Sequence, residues 1–254
     1  MWCRGGGWPT RPAANLALVQ FDAPAKLTVN LRVTGVREDG FHLIDAEMVS
    51  LDLADKVWVD ETAMATMVSY AGPHAVQVPF EHDLCAKAMA LAGRVGAVTV
   101  HKHIPAQAGL GGGSSDAGAI LRWAGFDDLE AAAGIGADVA FCLVGGRARV
   151  SGIGEVVESL PFEARRYTLL LPPFGCSTPA VYAKWDELGG PEGESGNDLE
   201  AAALAVEPGL AEYRDRLGDA TGETPRLAGS GSTWFVDGAH PGGGRVVVST
   251  IPAT

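Results

Sequence analysis

The sequence predicts a protein that mixes helices and strands, of the α+β or α/β class, with two domains. Stretches with strand-like alternation and stretches with helical spacing follow one another along the 254 residues. The length suffices for one large or two modest domains, and the hydrophobic fraction of 47% is ordinary for a globular protein. Composition shifts near "ESLPFEARRY". We therefore predict an extension at 1–20 that is poorly ordered, an amino-terminal domain at 21–162 and a carboxy-terminal domain at 163–254.

The amino-terminal half contains strands and one well-marked helix. Strands are predicted at "KLTVNLRVTG", at "AEMVSLDLADKVWVDE" as one or two strands, and at "AVTVHKHIP". Asp39-Gly40 is a turn signal between the first two. A helix is predicted by apolar residues that fall on one face: Leu84, Ala88, Leu91 and Val95. Asp83 can cap its start, and the glycines near position 93 can end it.

The carboxy-terminal half repeats this mixture. A buried strand is predicted at "YTLLLPP", and late strands at "LAGSGSTWFVDG" and "GRVVVSTIP". Between them, "NDLEAAALAVEPGLAEYRDRL" has the pattern of two helices broken at Pro208-Gly209.

The net charge limits the classes of molecule that the protein can bind, and the cysteine pattern indicates its compartment. A net charge of -12 opposes binding to a nucleic-acid backbone, and no apolar run approaches the roughly 18 residues of a membrane span. The first 21 residues lack the apolar region and cleavage site of a targeting peptide. The four cysteines are scattered, which indicates reduced thiols and a cytoplasmic location: Cys3, Cys85, Cys142 and Cys176.

A glycine-rich stretch, "GLGGGSSDA" at 109–117, follows a predicted strand and opens a predicted helix, "SSDAGAILRWAG". The first N–H groups of a helix lack internal partners, and glycines let a phosphate approach the backbone. Ser114 and Ser115 can cap the helix or reach a metal ion on the phosphate. The stretch matches neither GxxxxGK[ST] nor GxGxxG. It is therefore either a phosphate cradle or a plain glycine-rich connection.

Four blocks in order resemble the motifs of the GHMP small-molecule kinases. They are "PAKLTVNLRVTGVREDGFH", the glycine-rich stretch, "GADVAF" and "LAGSGSTWFV". The resemblance runs from about Pro24 to Val236. It implies an α+β fold of two domains with the active site in the cleft between them, and the use of ATP with Mg²⁺ arriving on it. The "PAK…DGFH" block looks most like a member that phosphorylates a cytidine-diphosphate-linked polyol.

The resemblance implies Lys26 and Asp138 as the catalytic pair. Asp138 would accept the proton of the acceptor hydroxyl, and Lys26 would orient Asp138 and offset negative charge. Taken singly, Lys26 could be a solvated strand-end lysine and Asp138 a helix cap. The residues implied for ATP binding are Pro105, Gly109, Leu110, Gly111, Gly112, Gly113, Ser114 and Ser115.

The resemblance also implies a cytosine site. Phe41 would stack on the ring, His42 would hydrogen-bond its polar edge, and Tyr182 would cover the other face. For the two aromatic residues, plain core or surface packing is the alternative. The remaining residues implied for substrate binding are Thr28, Thr178, Pro179, Gly229, Ser230 and Gly231. The last three could equally form a hairpin turn.

The sequence departs from the family pattern at a few places, which leaves other functions open. Thr28 stands where the family has Asn, Ala140 where it has Pro, and the segment at 121–135 is short. One alternative is a GHMP kinase for another small alcohol, homoserine or a mevalonate-like acceptor. Another is a catalytically impaired relative that binds nucleotide. We predict no protein-bound metal, because His101 and His103 are too few for zinc. A monomer or homodimer is expected.

Overall fold

The computed structural model describes residues 18–253, and the predicted extension therefore lies largely outside the described residues. The strands are β1 (Leu18–Val36), β2 (His42–Asp60), β3 (Met67–Ala71), β4 (Ala97–His101), β5 (Arg147–Gly152), β6 (Val156–Ser159), β7 (Arg166–Leu170), β8 (Arg226–Leu227), β9 (Trp234–Asp237) and β10 (Arg245–Ser249). The helices are α1 (Leu84–Leu91), α2 (Gly112–Trp123), α3 (Leu129–Ile135), α4 (Val139–Val144), α5 (Thr178–Glu187), α6 (Glu200–Val206) and α7 (Leu210–Thr221).

The first sheet is built around a long antiparallel hairpin of β1 and β2. Each strand has 19 residues, and the turn between them uses Gly40 at a φ of 87°. The rest of the sheet runs in the order β3-β4-β2-β5-β6. The second predicted strand is therefore one continuous strand. β1 begins at Leu18, which pairs with Asp60, so the predicted start of the fold near Phe21 is three residues late.

Helices α1 to α4 cover the first sheet. Their shared core includes Met89, Ile120, Ala140 and, from β2, Val57. The α2 helix lies against both strands of the long hairpin. This packing fixes the start of α2, and with it the glycine-rich stretch, relative to β1.

The start of α1 is confirmed, because the Asp83 carboxylate accepts hydrogen bonds from the backbone N–H groups of Cys85 and Ala86. The predicted end at the glycines is confirmed, but the prediction that Val95 lies on the apolar face of the helix is wrong. The helix ends at Leu91, since Gly93 takes a φ of 62° and turns the chain, which leaves Val95 exposed.

The second sheet is antiparallel, in the order β10-β7-β9-β8, and carries α5, α6 and α7. The predicted break at Pro208-Gly209 separates α6 from α7. The predicted boundary near 162 falls between the last strand of the first sheet and the first strand of the second, and it stays a prediction.

The two sheets share apolar core and are joined by backbone bridges. Leu27 and Val49 of the long hairpin pack in one cluster with Tyr167 and Phe235 of the second sheet. A parallel bridge joins Leu31 to the segment before α6, at Asn197. Among residues 18–253, no helix has the length and apolar character to cross a bilayer.

Candidate active site

A cavity of about 940 Å³ lies between β1, the glycine-rich stretch, the start of α4 and α5. Its volume is in the range of small-molecule sites. The predicted site residues that line it are Lys26, Thr28, Phe41, His42, Pro105, Gly109, Gly111, Gly112, Gly113, Ser114, Asp138, Thr178, Pro179, Tyr182, Gly229 and Ser230. Leu110, Ser115 and Gly231 are not among the lining residues.

Lys26 and Asp138 meet in this cavity. The Lys26 Nζ atom lies 3.2 Å from the Asp138 Oδ2 atom and donates a hydrogen bond to the Thr28 hydroxyl at 2.9 Å. Lys26 lies at a register shift of β1, a feature common beside active sites. It is only 6% exposed, so the alternative of a solvated lysine is wrong. Thr28, which stands where the resemblance implies asparagine, is thus a hydrogen-bond partner of the lysine.

Asp138 immediately precedes α4 but makes no side-chain capping bond to it. Asp138 thus occupies the N-cap position of α4, but its carboxylate does not serve as the cap and is free for another role. The carboxylate is about 30% exposed, so one oxygen can face Lys26 while the group stays open to a bound molecule.

The glycine-rich stretch approaches Lys26 closely. Gly111 has a φ of 67°, and a Cβ atom built on it would lie 2.7 Å from Lys26 Cγ. The Lys26 N–H donates to the Leu110 carbonyl at 3.0 Å. Glycine is therefore needed at 111 both for the backbone angle and for space. The arrangement places the amino end of α2 beside the Lys26–Asp138 pair.

The structure corrects the predicted start of α2. The helix begins at Gly112, with Gly111 as the N-cap and no side-chain cap, so neither Ser114 nor Ser115 is the capping residue. The left-handed angle at Gly111 starts the helix two residues early. Ser114 faces the cavity, whereas Ser115 is buried with its Oγ atom 3.7 Å from Cys142 Sγ.

His42 also lines the cavity, and its side chain is held by contacts with α5. Its Nε2 atom is 2.9 Å from Asp186 Oδ1, and its ring packs on Tyr182 at 4.7 Å and edge-on against Trp185 at 5.6 Å. Burial raises the pKa of Tyr182, and the Asp138 charge adds to this, so the phenol stays neutral. Phe41 is 57% exposed. Tyr182 thus contacts the imidazole that was predicted to recognise the base edge.

The Gly229 segment closes another wall of the cavity. The Ser230 and Thr178 hydroxyl groups lie 2.8 Å apart, so two of the predicted substrate-binding segments contact each other. A Cβ atom on Gly229 would lie 3.6 Å from Lys26 Nζ. The "GSGS" segment therefore lies beside the Lys26–Asp138 pair and is part of the cavity wall.

A buried charged cluster beside the glycine-rich stretch was missed. The Lys102 Nζ atom donates to the carboxylates of Asp55 and Asp116, and Asp55 also accepts from the Ile104 N–H at 2.9 Å. Burial lowers the pKa of Lys102, but the two carboxylates outweigh it and raise that pKa overall. The signal in the sequence was a lysine at the end of a strand pattern, followed by an aspartate inside a helix pattern.

Asp186 was also missed, although it was visible as the third residue of an i, i+4, i+8 series on α5 with Thr178 and Tyr182. The His101 Nδ1 and His103 Nε2 atoms lie 3.2 Å apart. In the part of the chain that the structure describes, no group of three or more His, Cys, Asp or Glu residues is placed to hold a metal ion.

The fold and the site together define a small-molecule kinase of the GHMP type: a glycine-rich loop at a helix start, a Lys–Asp pair beside it, and a cavity between two sheets. No model of a known protein family matches the sequence. Named relatives do match. A 4-diphosphocytidyl-2-C-methyl-D-erythritol kinase from Paracoccus denitrificans is 40% identical over 233 residues, 84% of each chain. A kinase of the same name from Cereibacter sphaeroides is 36% identical over 242 residues, 84% of this chain and 87% of its own.

A solved structure leads to the same family. The crystal structure of a 4-(cytidine 5'-diphospho)-2C-methyl-D-erythritol kinase has a TM-score of 0.69 and 27% identity, covering 91% of this chain and 99% of its own. The chain belongs to the family of 4-diphosphocytidyl-2-C-methyl-D-erythritol kinases. The predicted resemblance and the α+β kinase fold are thereby confirmed.

Proposed function

We propose that this kinase transfers the γ-phosphoryl group of ATP to the 2-hydroxyl group of 4-diphosphocytidyl-2-C-methyl-D-erythritol, a step of the non-mevalonate isoprenoid pathway. The observation that carries the proposal is the Lys26–Asp138 ion pair, held beside the glycine-rich stretch in one cavity. The names of the relatives supply the acceptor.

Asp138 is the general base in this proposal. Its carboxylate takes the proton of the acceptor hydroxyl while the hydroxyl oxygen bonds to the γ-phosphorus and the bond to the β-phosphate oxygen breaks, releasing ADP. Lys26 holds Asp138 in place and supplies positive charge where negative charge develops. Thr28 accepts a second hydrogen bond from the Lys26 ammonium.

ATP binds along the glycine-rich stretch. The backbone N–H groups at the start of α2 and the positive end of the helix favour phosphate there, and Gly111 lets Lys26 lie against this helix start. Mg²⁺ arrives with ATP and neutralises phosphate charge. Ser114 is the hydroxyl of the stretch that lines the cavity and can contact the phosphates or this ion.

The cytidine end binds near His42. Because a carboxylate can only accept, His42 donates its Nε2 proton to Asp186, and Nδ1 is the ring nitrogen left to contact the polar edge of cytosine. Phe41 supplies a ring face on the exposed side of the cavity. Tyr182 packs against the imidazole ring of His42 and completes the aromatic wall of the cavity.

We further propose a cytoplasmic enzyme that acts as a monomer or homodimer, with a small molecule as its partner and neither nucleic acid nor membrane as a ligand. The net charge of -12 supports the exclusion of nucleic acid.

The test is acceptor-dependent release of ADP by the purified chain with Mg-ATP. The cytidine-linked polyol, homoserine and mevalonate are compared at equal concentration, and release is expected with the first alone. Asp138→Asn should lower kcat by about 10²–10⁴-fold through loss of the base. Asp22→Asn is the matched control, since Asp22 pairs with Lys56 on the surface and its loss should leave kcat unchanged.

Each result has a distinct meaning. Release with homoserine or mevalonate instead would overturn the proposed acceptor and keep the kinase. Cytidine-ligand binding without release would identify an impaired relative. Full turnover by Asp138→Asn would overturn the assignment of the base.

A further inference from the structure

A buried asparagine outside the predicted motifs links the loop before α6 to the segment that carries Gly229. Asn197 lies between α5 and α6 and is 2% exposed. Its side-chain amide donates to the carbonyls of Leu227 at 2.9 Å and Gly229 at 2.7 Å, and its Oδ1 atom accepts from the Leu199 N–H at 3.0 Å. Both amide protons and the oxygen are therefore used.

The loop that carries Asn197 is itself fixed to β1. The Leu31 N–H donates to the Gly196 carbonyl at 2.9 Å, and the Asp198 N–H donates to the Leu31 carbonyl at 3.0 Å. The buried Asp198 carboxylate also pairs with Arg32 at 2.6 Å and accepts from the Val33 N–H at 2.9 Å. Asn197 is thus held by the strand that carries Lys26.

The segment that Asn197 holds contacts the reacting groups. A Cβ atom on Gly229 would lie 3.5 Å from the Thr28 hydroxyl and 3.6 Å from Lys26 Nζ. A Cβ atom on Gly109 would lie 2.2 Å from the Ala228 carbonyl oxygen, so the 228–231 segment also packs closely against the glycine-rich stretch. Gly229 takes a φ of 57°, outside regular sheet or right-handed helix geometry. Its position therefore depends on specific contacts.

We infer that Asn197 is a positioning residue for phosphoryl transfer, one that sets the distance of the 228–231 segment from Lys26 and from the glycine-rich stretch. This inference rests on the proposed function. A misplacement of about 1 Å at a reacting centre can lower a rate about 10²-fold. The two amide hydrogen bonds are the means by which a residue far along the chain controls that placement.

The experiment compares Asn197→Ala and Asn197→Asp with the wild type in the ADP-release assay. Asn197→Ala should lower kcat by about 10–100-fold while the affinity for an unreactive ATP analogue changes less than about threefold. Asn197→Asp should lose more, because a carboxylate oxygen then faces two carbonyl oxygens. Asn30→Ala is the matched control. The side chain of Asn30, on β1, accepts one hydrogen bond from the Glu47 N–H of β2, and its loss should leave kcat within twofold.

A second control distinguishes a positioning role of Asn197 from a purely structural one. Val248→Ala removes buried apolar volume from β10 and should lower the melting temperature without lowering kcat. An unchanged kcat in Asn197→Ala overturns the inference. So does an equal loss of kcat in Val248→Ala at a matched loss of melting temperature.

Failure of the proposed acceptor is distinguishable from failure of this inference. If another acceptor is turned over, the same ratio of rates is measured on that acceptor. If none is, hydrogen exchange decides: Asn197→Ala should speed exchange of the Gly231 amide, which bonds to the Ala228 carbonyl at 2.9 Å, at least tenfold. Unchanged exchange there overturns the inference.

Discussion

Replacing Lys102 with methionine removes the positive charge that lies between two carboxylates buried beside the glycine-rich stretch. Asp55 and Asp116 are 0% and 1% exposed, so neither can recover its hydration when the lysine is lost. Breaking a buried ion pair by removing one partner costs about 3–5 kcal/mol of unfolding free energy. For a chain of this size we expect a fall in melting temperature of about 6–20 °C.

The pH dependence of this loss has a definite sign. Burial raises the pKa of Asp116, and Lys102 opposes that rise, so the Lys102→Met change should raise this pKa further. The folded variant then binds protons more tightly than the unfolded chain, and its stability falls as pH rises. The difference from the wild type should therefore be larger at pH 8 than at pH 5.

Urea denaturation at both pH values measures the effect. The matched control is Lys56→Met, because Lys56 pairs with Asp22 at 2.7 Å on the surface and should lose less than about 1 kcal/mol. Adding Asp116→Asn to Lys102→Met should restore part of the loss. Equal effects of the two lysine changes, or a loss below about 1 kcal/mol for Lys102→Met, would refute the reasoning.

Three further predictions concern the cavity and its surroundings. Gly111→Ala should lower kcat at least tenfold in the ADP-release assay, because its methyl group would meet Lys26 Cγ at 2.7 Å. Asp186→Asn should raise KM for the cytidine-linked acceptor about 3–10-fold with little change in kcat, since it removes the partner that orients His42 for binding, as steady-state kinetics would show. Burial raises the pKa of the Cys142 thiol to about 12, so it should resist iodoacetamide at pH 8 in the folded enzyme and react after denaturation, as mass spectrometry would detect.

Matched control variants exist for the Gly111→Ala and Asp186→Asn predictions. Gly125 also has a left-handed φ, 72°, but has open space around it, so Gly125→Ala should lower stability by about 1 kcal/mol and leave kcat unchanged. Glu187→Gln alters a neighbouring surface carboxylate and should leave KM unchanged. A normal kcat for Gly111→Ala, or a KM change shared by both carboxylate variants, would contradict these predictions. Rapid labelling of folded Cys142 would contradict the third.

The sequence was most informative where the local pattern decides the structure. The Asp83 cap, the Pro208-Gly209 break and the long alternating strands are all short-range features, and all are present. Motif blocks also predicted Lys26 and Asp138, which are separated by 112 positions and yet meet at 3.2 Å. The resemblance carried that pairing, because no periodicity or spacing relates a strand residue to a distant helix start.

What the sequence missed depends on tertiary contacts. The sequence predicts Lys102 only as part of a strand, since nothing local shows that Asp55 and Asp116 converge on it. Asn197 is the first residue of a stretch with a helical pattern, and its role follows only from the approach of Gly229. The start of α2 was misplaced because serines are common caps, whereas here a left-handed glycine takes that position.

The substitution of Thr28 for the family asparagine is compatible with the proposed chemistry. An ammonium group has three donors, and Thr28 and Asp138 account for two, which leaves one for the cavity that Lys26 lines. In the proposed step Asp138 gains a proton and loses its charge, so the positive charge of Lys26 is no longer balanced by its neighbour. It then acts on the transferring phosphoryl group at the moment when negative charge there must be stabilised. A hydroxyl at Thr28 holds the ammonium without adding a charge that would compete with that exchange.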